Sequence, residues 1–206
     1  MWDTDDTMES PSRRAPRETV AAIRDAALRL FVELGYENAS VGQIVETAGV
    51  TKGAMYHHFR SKNELLFGIY DRLLAVQFEH LQTIAAGEGS AGERLRAAMV
   101  DLVLTSLEWR DEAIVFLHSR HLLEPDQRRE VARRRREYDR AFRGLVREAV
   151  AEGAVRSDRE EVVIGGIFFG AVHYLGDWYD PVGPLSPERI AQEYADVILS
   201  GLRPTA

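Results

Sequence analysis

Residues 51–59 carry polar and small side chains on one helical face and apolar side chains on the other. Lys52 and Tyr56 can point outward on this segment, while Met55 points inward and anchors it. Such a helix suits the major groove of DNA, since its outer face offers donors and its inner face is held by apolar neighbours. Tyr56 and Lys62 suit phosphate oxygens, which position a protein on the duplex. These residue types predict nucleic-acid binding.

The residues around this segment extend the predicted DNA surface. Ser40 and Gln43 have the spacing of a capping box, and a helix that begins there directs free amides toward a phosphate. Thr51 can cap the next helix, and small Gly53 and Ala54 allow the backbone to approach base edges and thymine methyl groups. The predicted DNA-binding residues are Ser40, Gln43, Thr51, Lys52, Gly53, Ala54, Tyr56, His57 and Lys62.

Four side chains in the second half of the sequence admit a metal-binding interpretation: His118, His121, His173 and Asp177. His173 and Asp177 lie one helical turn apart, and imidazole with carboxylate is a known set of zinc ligands. The sequence has no HExxH, GxSxG or P-loop pattern, and its lack of cysteine excludes disulfides and thiol catalysis. We therefore predict no catalytic activity and no cofactor, and a metal stays an open alternative.

Helices are the elements that must position these side chains. Apolar residues recur at spacings of three and four, glycines stand where helices should stop, and no alternating strand pattern has useful length. The two short helices around Gly49 have the outline of a helix-turn-helix. The fold class is all-α, with about nine helices. They are predicted at residues 17–34, 40–48, 51–59, 61–84, 92–108, 110–123, 126–152, 159–177 and 187–201.

The sequence divides into an arm, a small domain and a larger domain. Residues 1–16 are polar and aperiodic, which predicts a disordered arm, and residues 17–62 form the helix-turn-helix domain. Residues 63–206 form the rest of the protein. The net charge of −7 is uneven, because residues 11–63 carry eight bases and five acids. The start lacks the pattern of a secretory signal, so we expect a cytoplasmic protein without a membrane partner.

A series of motif residues stands at fixed offsets across the helix-turn-helix: Gly35, Tyr36, Ser40, Ile44, Ala48, Gly49, Val50, Lys52, Gly53, Tyr56, His57, His58, Phe59, Lys62, Glu64, Leu65 and Leu66. This arrangement resembles the DNA-binding domain of the TetR family of bacterial regulators, over about residues 17–66. The resemblance implies a homodimer that binds a palindromic operator, acts as a repressor, and is released by a small-molecule effector.

The resemblance also implies roles for single residues. Tyr56 and Lys62 would contact phosphates, while Lys52 and Gly53 would face the bases. One departure is Gly42, where some members carry an arginine that reads a base, so that contact would be absent here. The alternative is a plain three-helix subdomain whose side chains only pack. At the level of the whole chain, the alternative is a small-molecule binding helical protein or adaptor without operator function.

The last two long helices are predicted to pair with their copies in a second protomer. The resemblance implies a four-helix bundle across a two-fold axis, and these helices have more apolar surface than one protomer can cover. The alternative is a buried central helix in a monomer. The predicted interface residues are Ile164, Ile167, Phe168, Ala171, Val172, Leu175, Ile190, Tyr194, Val197 and Ile198.

The larger domain also carries candidates for the wall of an apolar ligand cavity, although such residues are often only core. Residues 178–186 are similar to a segment of TetR-type repressors of fatty-acid and sterol breakdown, which implies an acyl-coenzyme A effector. The arginines from Arg128 to Arg147 are either a solvated, ion-paired face or a docking ridge for coenzyme A phosphates. The cavity candidates are Phe78, Met99, Val103, Trp109, Phe116, Phe142, Phe169 and His173.

Overall fold

The structure is a computed structural model that describes residues 16–156 and 158–203. This part of the chain is helical and contains no β-strand, which confirms the all-α fold class. None of the described helices is both long and apolar enough to cross a membrane. The predicted arm lies outside the described residues except for Pro16.

The helices are α1 (Pro16–Leu34), α2 (Val41–Ala48), α3 (Lys52–His58), α4 (Lys62–Ala85), α5 (Ala91–Glu108), α6 (Arg110–Ser119), α7 (Pro125–Ala151), α8 (Glu161–His173), α9 (Leu175–Trp178) and α10 (Pro187–Ser200).

Two predicted helices end earlier than the sequence pattern indicated. α6 gives way to a 3-10 turn at Arg120–Leu122, because Pro125 disfavours helical backbone at Glu124 and the chain must leave the helix before it. The helix predicted over 159–177 is divided at Tyr174, whose amide bonds to a carbonyl three residues back rather than four. The short α9 is the remainder of that helix.

Capping residues fix where α2 and α3 begin. The Ser40 hydroxyl accepts from the Gln43 amide at 3.2 Å, and Gln43 Oε1 accepts from the Ser40 amide at 2.9 Å, which is the predicted capping box. Gly49 ends α2 with φ at 66°, a left-handed conformation that a side chain would strain. Thr51 Oγ1 accepts from the Ala54 amide at 3.1 Å and starts α3. The angle between the two helices is therefore set locally.

Two apolar clusters hold the helices together. The first joins α1, α2, α3 and the first half of α4 to α6 and the start of α7. The second joins the end of α4 to α5, α7, α8 and α10. We call α1–α3 the head and the later helices the body. α4 and α7 contribute to both clusters and so connect the head with the body.

Candidate DNA interface and body pocket

The outer face of α3 is open to solvent. Lys52, Gly53, Tyr56 and His57 are exposed, and Tyr56 keeps 52% of its accessible surface. Met55, on the opposite face, is fully buried in the first cluster. Lys52 and Tyr56 make no hydrogen bond or ion pair with any residue that the structure describes. Their polar atoms are therefore available to a ligand.

The start of α2 offers backbone donors and one side-chain donor. The capping box uses the Ser40 hydroxyl and Gln43 Oε1, whereas the exposed Gln43 Nε2 has no partner among the described residues. The amides of Val41 and Gly42 have no acceptor within residues 16–156 and 158–203. Unpaired amides and the helix dipole give a helix start a partial positive charge, which attracts anions. Val41 and Gly42 are both partly exposed, and Gly42 adds no side chain in front of these amides.

Lys62 has a structural role that the sequence did not reveal. Its Nζ donates to the backbone carbonyls of Tyr36, Glu37 and Ala39 at 2.6, 3.3 and 2.9 Å. It also lies 4.3 Å from the centre of the Tyr36 ring. Burial lowers the pKa of Lys62, while Glu37 acts in the opposite direction. An ammonium group has three donors, and all of them bind the loop between α1 and α2, which differs from the phosphate contact that we expected.

The body contains two adjoining cavities of about 160 and 270 Å³ between α4, α5, α6, α7 and α8. We call them together the body pocket. Apolar side chains dominate its wall, and polar groups converge where the two cavities meet. The residues that line both cavities are Tyr70, Gln77, Leu102, Arg135 and His173.

The structure brings only part of the predicted cavity wall to the body pocket. Phe116, Phe169 and His173 line it. The others pack elsewhere, which corrects the prediction: their apolar side chains fill the two clusters rather than a cavity. These residues are Phe78, Met99, Val103 and Phe142 in or against the second cluster, and Trp109 against the first.

Several wall residues were missed by the sequence analysis. Gln77 could have been recognised from the sequence, because it is a polar residue at a position where the helical pattern of α4 is apolar. It is 9% exposed in the structure. Tyr70 lies one position after Ile69 in the same run and resembles an ordinary core residue. Arg120 and Arg135 also line the pocket, but they do not stand out in a sequence rich in arginine. No local pattern distinguishes them from solvated arginines.

Positive charge surrounds the polar end of the body pocket. His173 Nε2 lies 3.0 Å from Arg135 Nη2, an arrangement in which a neutral ring accepts from the guanidinium. Burial, and then Arg135 and Arg120, lower the pKa of His173 to about 4, although part of the residue is exposed at the mouth. Burial raises the pKa of Tyr70 to about 12, and the same two arginines act in the opposite direction. His173 and Tyr70 are therefore neutral at physiological pH.

Most arginines of α7 are ion-paired. Arg133 bonds to Glu130 and Glu137, and Arg134 bonds to Glu130 and to Asp71 of α4. The solvated, ion-paired interpretation therefore describes this part of the helix. The further pairs are Arg129 with Asp126, Arg143 with Asp139, and Arg147 with Glu161. In the described chain, Arg128, Arg135, Arg136 and Arg140 have no carboxylate partner, and Arg128 bonds to the His121 carbonyl.

The candidate metal ligands do not assemble in the described part of the chain. Residues 16–156 and 158–203 hold no group of three histidine, cysteine, aspartate or glutamate side chains that could bind one ion. His173 faces Arg135 instead, and a cation next to an imidazole opposes the binding of a second cation.

The predicted dimer surface is partly buried within the protomer. Ile164, Phe168, Val172, Leu175 and Ile190 fill the second cluster, so they cannot contact another protomer, and the structure corrects this part of the prediction. The other face of α8 is open and apolar, whereas Val197 is the one large apolar residue exposed among the described residues of α10. Of the predicted interface, Ile167 and Val197 are exposed and Ala171, Tyr194 and Ile198 are half-buried, and Val162, Val163, Tyr174 and Trp178 are exposed nearby in the sequence.

An all-helical chain with a helix-turn-helix head and a pocket in its body belongs to the class of ligand-responsive DNA-binding regulators. Comparison with known proteins specifies the class further. The profile described as "Bacterial regulatory proteins, tetR family" matches residues 23–69, and "Tetracyclin repressor-like, C-terminal domain" matches residues 88–202. The chain therefore belongs to the TetR family of bacterial regulators, which confirms the resemblance seen in the motif.

Relatives and solved structures agree with this assignment. The transcriptional repressor KstR2 of Rhodococcus jostii is 28% identical over 96% of this chain and 95% of its own length. A TetR/AcrR-family regulator of Thermobifida fusca is 34% identical with a TM-score of 0.72, covering 90% of this chain and 98% of its own. AibR, solved with isovaleryl coenzyme A and operator DNA, is 28% identical with a TM-score of 0.76, covering 91% and 100%. The first two are described as a transcriptional repressor and a transcriptional regulator, which agrees with the expected class of regulator.

Proposed function

We propose that the chain is a repressor that binds a palindromic operator as a homodimer and is released by a small effector in the cytoplasm. Residues 17–62 serve as the DNA-binding domain and residues 63–206 as the effector and dimerisation domain. The carrying observation is the outer face of α3, where Lys52 and Tyr56 are exposed and unpaired above the buried Met55. Such a face has donors for DNA and a rigid support beneath it.

The DNA proposal is tested by a mobility shift with the DNA upstream of the coding region of this protein. We expect a discrete complex that resists an excess of unrelated DNA, because specific binding exceeds non-specific binding by roughly a thousandfold or more. A shift that unrelated DNA removes equally well would contradict operator recognition. That result would favour the alternative, a small-molecule binding helical protein or adaptor.

The exposed face of α8 supports a dimer. Ile167 keeps 59% of its surface, and a Cβ atom added at Gly166 or Gly170 would meet no atom within 4 Å. The surface is therefore apolar and shallow enough for a second helix to approach closely. Paired through this face, two protomers would present their α3 helices one DNA turn apart, roughly 34 to 36 Å.

Sedimentation velocity tests the dimer with a matched pair of variants. Ile167→Asp puts a charge into the proposed interface and should give a monomer. Val32→Asp, on the exposed side of α1, should stay dimeric. A dimeric Ile167→Asp protein would place the interface on another surface.

The effector is proposed to act through residues shared by the body pocket and the first cluster. Tyr70 of α4 and Phe116 of α6 stack on each other, line the pocket and belong to the cluster that supports α3. A ligand that displaces them changes the support of the head, and so the spacing of the two α3 helices. Coupling is reciprocal, so operator DNA should weaken effector binding by the factor by which the effector weakens operator binding. Equal effector affinity with and without operator would refute the coupling.

An apolar or acyl-coenzyme A effector is proposed for this pocket. Its support is the largely apolar wall, together with the likeness to AibR, whose solved complex contains isovaleryl coenzyme A. The ion-paired arginines of α7 argue against a ridge that receives coenzyme A phosphates along the whole helix. We therefore propose the unpaired arginines near the body pocket as the residues that contact a phosphate.

A further inference from the structure

We infer that the body pocket selects an amphiphilic organic anion, with its carboxylate or phosphate held by Arg120 and Arg135 and its apolar part enclosed between α4, α5 and α8. This inference rests on the proposed function, since it names the chemical class of the effector for the same pocket. Three observations carry it: two cations without counter-ions, neutral polar groups beside them in the pocket wall, and an apolar interior.

The first observation is the lack of a counter-ion. Arg133 and Arg134 bind carboxylates within their own surroundings, whereas the adjacent Arg135 binds none in the described structure. Arg135 is half-buried at the meeting point of the two cavities, and Arg120 lines the first cavity. A half-buried charge without a counter-ion is costly, so an anionic ligand group would be favourable beside Arg135.

An acidic residue in the wall does not neutralise this site. Asp139 lines the second cavity, but its carboxylate is bonded to Arg143. Arg136 also lines the second cavity and has no ion pair with any described residue. The polar end of the body pocket therefore carries net positive charge.

The second observation is a set of neutral groups that orient the anion site. His173 accepts from Arg135 at 3.0 Å and fixes the direction of its guanidinium. Tyr70 is 5% exposed and lines both cavities, and its hydroxyl has no hydrogen-bond partner among the described residues. This free donor can bond to an anion in the pocket. His173 and Tyr70 are positioning and donor groups rather than charges.

The third observation is the apolar interior next to these cations. Leu73, Leu102, Val172 and Leu175 line the first cavity, where an alkyl or ring system would replace water. A neutral apolar ligand would leave the arginines without a counter-charge, and a small hydrophilic anion would leave the apolar wall unfilled. Only a ligand with both parts satisfies both surfaces.

Isothermal titration calorimetry of the full-length protein without DNA tests the inference. The probes are octanoate, octanol, octanoyl-coenzyme A and coenzyme A alone. Octanoate should bind roughly 10- to 100-fold more tightly than octanol, the range expected for charge-assisted hydrogen bonds. Binding of octanoyl-coenzyme A without octanoate or coenzyme A would identify phosphate as the anion and still support the inference, provided that it depends on Arg135.

Matched variants separate the pocket from the general charge of α7. Arg135→Gln and Arg120→Gln should remove the preference for octanoate over octanol, and Arg135→Lys should keep part of it, because the charge stays but the two-point contact is lost. Arg140→Gln changes an unpaired, exposed arginine of the same helix that does not line the pocket, and should leave the preference intact. Thermal melts of each variant confirm that it is folded.

Three results would overturn the inference. They are equal affinity for octanol and octanoate, anion affinity that survives both glutamine variants, and no binding of any probe at millimolar concentration. Operator release is scored separately. If octanoate binds in an Arg135-dependent manner but does not change DNA binding, the anion site is supported and ligand control is refuted. If octanol alone releases the operator, ligand control is supported and the anion site is refuted.

Discussion

The head and the body present unpaired cations in opposite settings. Lys52 stands in solvent on a helix of seven residues, supported from below by Met55. Arg135 is half-buried in a pocket assembled from five helices. A charge in water gives salt-dependent attraction to a polyanion, whereas a charge beside an apolar wall discriminates between single ligands. The two regions are thus suited to a large anionic partner and to a small one.

Each region also contains a cation of the same type that is fully used within the protein. Lys62 binds three carbonyls while Lys52 binds none, and Arg133 is held by glutamates while Arg135 is not. Residue type alone therefore does not identify a binding residue. Lys52 and Arg135 differ from Lys62 and Arg133 in lacking an internal counter-charge while lying on the α3 face or in the pocket wall, and variants can test this distinction in order of expected effect.

The largest effect is expected from removing the support of α3. Met55→Ala leaves a cavity in the first cluster and should lower the free energy of unfolding by about 3 kcal/mol, with loss of DNA binding. Urea denaturation measures this. His57→Ala, on the exposed face of the same helix, should change stability by less than about 0.5 kcal/mol. A stable Met55→Ala protein would show that α3 is not held from below.

The next effect separates the two lysines of the head. Lys62→Met leaves three carbonyls without their donor and should cost about 2 kcal/mol of stability. Lys52→Met should leave the urea midpoint unchanged and weaken DNA binding. If Lys62→Met kept full stability and lost only DNA affinity, the phosphate role that the motif implied for Lys62 would be restored.

A smaller effect is expected at the tie between head and body. Asn63 Nδ2 donates to the Leu122 carbonyl at 2.7 Å and to the Tyr36 hydroxyl at 3.3 Å. Asn63→Ala should lower the unfolding free energy by about 1.5 kcal/mol. Asn38→Ala removes a solvent-exposed bond within the end of α1 and should have the smaller effect in the same denaturation series. Equal losses in the two variants would argue against a specific tie.

The contrast between the head and the body also explains which parts of the structure the sequence predicts. The helix-turn-helix was readable because its caps, its glycine stop and its exposed face occupy one short segment, as Ser40, Gly49 and Tyr56 show. The nine helices predicted from the sequence were readable for the same local reason, although the structure divides the one predicted over 159–177 into α8 and α9. Such information is absent for the body pocket, whose wall comes from distant parts of the chain.

The errors in the body have a physical cause. α8 is apolar on nearly all sides, so the spacing of its apolar residues does not show which face is buried. For this reason the sequence did not distinguish buried Phe168 from exposed Ile167. Likewise, Arg135 differs from Arg133 only in what the folded chain places beside it. Tertiary contacts decide both cases.

The smallest expected effect is on the way thermal stability depends on pH. Burial, Arg135 and Arg120 lower the pKa of His173 to about 4. The other titratable side chains in the pocket wall are Tyr70, Arg120, Arg135, Arg136, Tyr138 and Asp139. As the pH falls below 6.5 the unfolded chain takes up a proton that the folded chain refuses, so this contribution destabilises the wild type progressively down to about pH 4. His173→Gln should lose that part of the pH dependence in thermal melts. Parallel curves for the two proteins would contradict the lowered pKa.

The central claim, that the exposed face of α3 binds the operator, is tested most directly by fluorescence anisotropy of labelled upstream DNA over a series of salt concentrations. For Lys52→Ala combined with Tyr56→Ala, we predict at least about tenfold weaker binding and a salt slope lower by about 1 for each lost phosphate contact. The melting temperature should not change. A double variant with the affinity and salt slope of the wild type would show that another surface binds the DNA.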